Sequence, residues 1–116
     1  MNLEQRMAAL IEARDALKTL VDKVGAQLSL SSTKACHDKL EEHRQLNDEF
    51  ADGAARNQPA ASLNRIGAAR EAIPRNLIEH LYGSYVLLDE VENGRSDADL
   101  LWVLQDSARA LTKAME

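Results

Sequence analysis

The stretch "NLEQRMAALIEARDALKTLVDKVGAQL", residues 2–28, decides the fold. Leu3, Met7, Leu10, Leu17, Val21, Val24 and Leu28 recur at steps of three and four, the spacing that stacks side chains along one face of an α-helix. Arg14 is the only break in that seam. Ile11 and Leu20 widen the stripe beyond the two positions per heptad of an isolated coiled coil, which favours a bundle.

The bulk numbers agree. The 116 residues suit one domain, 1–116, able to bury roughly two-thirds of its unfolded surface. Hydrophobic residues make up 45% but aromatics only 3%, and the excess is in Ala and Leu, which points to helix and away from sheet. Cys36 is the single cysteine, so no intrachain disulfide forms and a reducing compartment is expected. Residues 1–15, "MNLEQRMAALIEARD", carry acids and no continuous apolar run, the pattern of neither a signal peptide nor a membrane span. A cytoplasmic protein is the expectation.

Further along, "SLSSTK" offers capping hydroxyls at Ser31 and Ser32 before a polar helix over about 33–54. Its candidate inward residues are Cys36, Leu40, His43, Leu46 or Asn47, and Phe50. With one good apolar edge, that helix should lie on the outside. "DGAARNQPAAS", residues 52–62, reads as a loop through Gly53 and Pro59. A short helix over about 60–72 rests on Leu63, Ile66 and Ile73. Pro74 fits the first turn of the next helix, to about Glu92, with Leu77, Ile78, Leu81, Tyr82, Tyr85 and Leu88 on one face. Asn93-Gly94 is a stop signal, and "SDAD" at 96–99 has the form of a capping box for the last helix. That helix carries Leu101, Leu104, Ala108, Leu111 and Met115 on one seam. The whole predicts an all-α, antiparallel bundle of about four helices, one of them split near Pro74.

Charge is unevenly distributed. Residues 1–76 hold eleven basic and eleven acidic side chains, whereas residues 77–107 hold seven acids against Arg95 alone. The formal charge of −5 therefore comes from one third of the chain. A face of that sign repels phosphates and attracts cationic surfaces.

Two motifs compete for the segment "IPRNLIEHLYGSYVLLDEVENG", residues 73–94. Arg75-Asn76-x-x-x-His80-x-Tyr82 resembles the motif of HEPN-domain ribonucleases, in particular the toxins of HEPN/nucleotidyltransferase pairs. That resemblance implies a dimeric, metal-independent ribonuclease. His80 would move protons, Arg75 would hold the anionic phosphorane, and Tyr82 would match the tyrosine that a partner enzyme modifies. On an ideal helix, however, Arg75 and His80 point about 140° apart, so they would converge only across a dimer interface. The flanking carboxylates also oppose RNA, which is bound through basic footprints. Packing predicts His80 on the polar side of its helix and Tyr82 on the apolar side, and this plain reading ranks ahead of catalysis.

The longer stretch "LIEHLYGSYVLLDEVENGRSDADLLWVLQDSARALTKAM", residues 77–115, is similar to a second family. These are small four-helix immunity proteins of bacterial type VI secretion systems, which neutralise effectors that hydrolyse NAD(P)+. The matching features are Gly83-Ser84 within a helix, Asp89-Glu90 near its end, the Asp-x-Asp-Leu opening at Asp97, then Leu104, Asp106, Ala108 and the close from Leu111 to Met115. The resemblance implies an immunity or antitoxin-like protein that inhibits a toxin enzyme. An acidic scaffold suits that role, because enzymes that handle phosphate-bearing ligands tend to have basic clefts, and complementary charge speeds association. The expected partner-binding residues are Asp89, Glu90, Glu92, Asp97 and Asp99 around one helix–helix turn, with Tyr85 and Trp102 as large anchors. The structural alternative for Trp102 is core packing beside Leu101 and Leu104.

No metal site is expected. Cys36, His37 and His43 lack the second ligand pair of a closed zinc site, and Cys36 reads as a small apolar filler. There is no glycine-rich phosphate loop, and neither long helix has the basic face of a membrane-surface helix. The reading is therefore a non-enzymatic binding protein, with no catalytic residues and no cofactor. It would bind a protein with a basic cleft, not nucleic acid or membrane, with a homodimer as a further arrangement. Another alternative is a subunit of a larger assembly that uses the first helix as its seam.

Overall fold

In the computed structural model, which describes residues 1–116, five α-helices follow one another with no strand. They are α1 (Leu3–Leu28), α2 (Thr33–Ala55), α3 (Ala60–Glu71), α4 (Arg75–Glu92) and α5 (Leu100–Ala114). The split expected near Pro74 separates α3 from α4, so the four helices of the sequence reading are α1, α2, α3–α4 and α5. Pro74 sits at the N-cap, and its ring removes the backbone N–H that would have continued α3. No helix is long and apolar enough to cross a membrane.

Side-chain caps open α1 and α2. Asn2 and Gln5 form a reciprocal capping box on α1, which the sequence reading did not include. Ser32 accepts the Ala35 N–H and starts α2. The "SDAD" box does not form: Asp99 stands at the N-cap of α5 with no side-chain cap, and Asp97 instead accepts the Asp99 backbone N–H at 3.3 Å. The second helix also runs further than its glycine suggested. Gly53 is buried inside α2, where a Cβ would come within 2.9 Å of Leu63 on α3.

α4 is the axis of the molecule. It touches α1, α2 and α5; α1 also touches α5, while α3 touches only α2. Cross-helix pairs give the directions. Thr33 meets Asp89 and His37 meets Tyr82, so α2 runs antiparallel to α4. Ser84 and Ser107 share a 2.9 Å hydrogen bond, and only residues 93–99 join α4 to α5, so α5 folds back antiparallel too. Arg6 donates to the carbonyls of Asp97 and Ala98, which sets α1 parallel to α5. α2 and α3 project past the start of α4, and the molecule measures 64 × 22 × 19 Å.

The core is Leu17, Val21 and Val24 of α1, Ile78, Leu81 and Leu87 of α4, and Leu100, Leu104 and Leu111 of α5, completed by Leu30 and the fully buried Cys36. Burial raises the Cys36 thiol above its usual range, as befits a filler. The α1 seam is covered only from Leu10 onward. Leu3, Met7 and Ile11 remain 73%, 55% and 49% exposed, because α4 ends opposite Arg14 and the turn that follows meets α1 on the Arg6 edge instead.

Candidate binding surface

The turn between α4 and α5 is built by its own backbone. The Gly94 N–H reaches the Val91 carbonyl and the Arg95 N–H reaches the Glu90 carbonyl, with Gly94 in the left-handed region at φ +98°. This double closure ends α4 and fixes the direction of the following residues. Arg95 then folds back. Its guanidinium donates to Glu90 at 2.7 Å and to Asp97 at 2.6 Å. The hydrogen bond from Arg95 holds the Asp97 carboxyl below its usual range. Arg6 of α1 clamps the same turn through two carbonyls. The result is a stiff junction.

The expected acids do not all share one face. Asp89 and Glu92, three residues apart, look toward α1 and line a groove with Arg14 and Lys18. The Asp89 carboxylate also accepts the Thr33 hydroxyl at 2.9 Å. Glu90 turns the other way, into the α4–α5 groove with Arg95, His80 and Asp106. Asp97 joins it through Arg95. Asp99 and Asp106 form no ion pair and lie one heptad apart on the outer edge of α5. Glu90, Asp97, Asp99 and Asp106 against Arg95 and the Arg6 guanidinium leave this face at a net −2.

Trp102 sits between Asp99 and Asp106 and is 62% exposed. That overturns the core-packing alternative. On α5 it projects opposite Leu100, Leu104 and Leu111, so its flanking leucines point elsewhere. Tyr85, expected as an anchor, also has a structural contact. Its ring is half-buried, and its hydroxyl donates to the Leu30 carbonyl at 3.1 Å, tying the α1–α2 turn to α4. Burial raises its phenol above the usual range. A Cβ at Gly25 would lie 2.6 Å from that hydroxyl, so glycine there admits the tie.

Asp106 was missed as a surface residue. Its signal was present: Asp99, Trp102 and Asp106 stand at i, i+3 and i+7, one face of a helix.

Within one chain, Arg75 and His80 open onto different grooves. Arg75 pairs with Glu79 at 3.0 Å beside His37, His43 and Arg44 of α2, while His80 faces α5. Tyr82 packs half-buried, with its ring centroid 6.5 Å from that of His37. No family model, curated protein or solved structure matches the chain.

Proposed function

We propose that the chain is an immunity or antitoxin-like binding protein that inhibits a toxin enzyme by covering its basic cleft. The surface that does so is the α4–α5 end, with Trp102 as anchor and Glu90, Asp97, Asp99 and Asp106 around it. The observation that carries this reading is an exposed tryptophan between two unpaired carboxylates, on a helix whose opposite side is the core. A large apolar ring held in water by a rigid support gains most when a partner buries it. The carboxylates beside it steer a cationic cleft and set its orientation. A junction clamped by Arg95 and Arg6 loses little freedom on binding, which favours tight association. The similarity of residues 77–115 to the type VI immunity proteins points to the same role and to a bacterial cytoplasmic setting.

The test is inhibition of an NAD(P)+-hydrolysing toxin enzyme by the purified chain. The parent chain should block that enzyme stoichiometrically. Trp102→Ala should weaken binding by roughly 30-fold or more, the size of an interface hot spot. Asp99→Lys with Asp106→Lys should slow association, most of all at low salt. Tight inhibition by both variants would contradict this assignment of the surface. Growth arrest on overexpressing the chain alone, relieved by His80→Ala, would contradict the role and support the ribonuclease instead.

A further inference from the structure

Beyond the end of α4, one edge of α1 continues uncovered for more than two turns. Arg6, on the edge that faces α5, is held by the carbonyls of Asp97 and Ala98. Leu3, Met7 and Ile11 lie on the other edge, in line with Arg14 and Lys18, where α4 would be if it were longer. Three large apolar side chains in a row, each about half exposed or more, are unusual on a free surface.

We infer that this stripe is covered by the same stripe of a second copy, packed antiparallel about a two-fold axis. The charges select that occupant. Glu4 borders the stripe at its start, and Arg14 and Lys18 border it at its end, beside Asp15 and the α4 acids Asp89 and Glu92. An antiparallel pair centred on residue 9 sets Met7 against Ile11 of the second copy and Glu4 against Arg14 of the second copy, each contact made twice. One midpoint serves the Met7–Ile11 and the Glu4–Arg14 pairings, and it leaves Leu3 at the rim against Asp15 of the second copy. A parallel pair would oppose Arg14 to itself. Within the chain Arg14 pairs only with its neighbour Asp15, at 3.0 Å and exposed, a weak contact that it can exchange. The stripe spans about 12 Å of helix, short of the roughly 800 Å² per partner of a standard interface, so the dimer is reversible. Trp102, on the outer side of α5, stays open in it, and the two surfaces work independently.

Sedimentation equilibrium of the full chain, from low micromolar to roughly 0.5 mM, tests this. The parent should pass from monomer to dimer and stop there. Met7→Glu should raise the dissociation constant at least about tenfold. Glu4→Lys and Arg14→Glu should each weaken the dimer, and together they should restore it. These positions are exposed, so circular dichroism should stay at the parent value. A monomer throughout, growth beyond two copies, a dimer indifferent to Met7→Glu, or failure of the double charge swap would overturn the pairing.

Discussion

Compared with the α1–α4–α5 cluster, the α2–α3 arm has almost no interior. The three clustered helices each bury three core side chains, α2 buries Cys36 and Gly53, and α3 buries no residue. The arm relies on ion pairs between neighbouring turns: Lys34–Asp38, Lys39–Glu42, Arg44 with Glu41 and Asp48, and Arg56–Asp52. Exposed pairs of this kind contribute little each. Across its two helices the Arg70 guanidinium lies 4.7 Å above the Phe50 ring, with Gly67 leaving room for that ring, and donates to the Asn47 side-chain oxygen at 3.0 Å. A chain can thus be helical from end to end while its stability resides in one part. The proposed binding face lies on the stable part.

The largest expected effect comes from emptying the cluster. Leu104→Ala should cost about 2–5 kcal/mol in denaturant unfolding, and Leu63→Ala, half-buried in the arm, clearly less. Equal losses would mean the arm shares the core. Next is Gly25→Ala. The new Cβ would lie 2.6 Å from the Tyr85 hydroxyl and 2.7 Å from the Leu30 carbonyl oxygen, so the tie must move, at about 1–3 kcal/mol. A thermal melt at or above the parent midpoint would show that the tie does not matter.

How much of this the sequence held varied by element. α1, α4 and α5 were legible because their apolar residues repeat at helical steps, and Pro74 and Asn93-Gly94 marked real breaks. The exposure of Leu3 and Met7 was not, since a periodic seam records which face is apolar but not where the covering helix ends. Gly53 looked like loop because glycine serves both turns and close helix contacts, and only the approach of Leu63 distinguishes them. Clustering of acids in sequence concealed a division in space: Asp89 and Glu90 are adjacent, yet 100° of helical rotation sends them to different grooves.

Hydrogen exchange should sharpen the contrast between the regions. Amides of α3 should exchange by local opening while the middle of α4 and α5 exchanges only on global unfolding. Phe50→Ala should speed α3 and leave α5 at the parent rate; uniform protection across both regions would contradict a soft arm. The smallest effect is on pH. The Asp97 carboxyl is lowered from its ordinary value of 3.8 by Arg95, so its contribution is complete above that value and is lost as pH falls through the depressed one. Acid unfolding below about pH 4 should become slightly less steep in Arg95→Ala, with neutral-pH stability the better place to see any other effect of that change.

The central claim is that recognition belongs to the Trp102 face and not to the arm. Affinity for the proposed toxin partner, measured by calorimetric titration with Trp102→Ala and with Phe50→Ala, tests it directly. The account expects a loss of roughly 30-fold or more for the first and the parent value for the second. Parent affinity for Trp102→Ala together with lost binding for Phe50→Ala would contradict it.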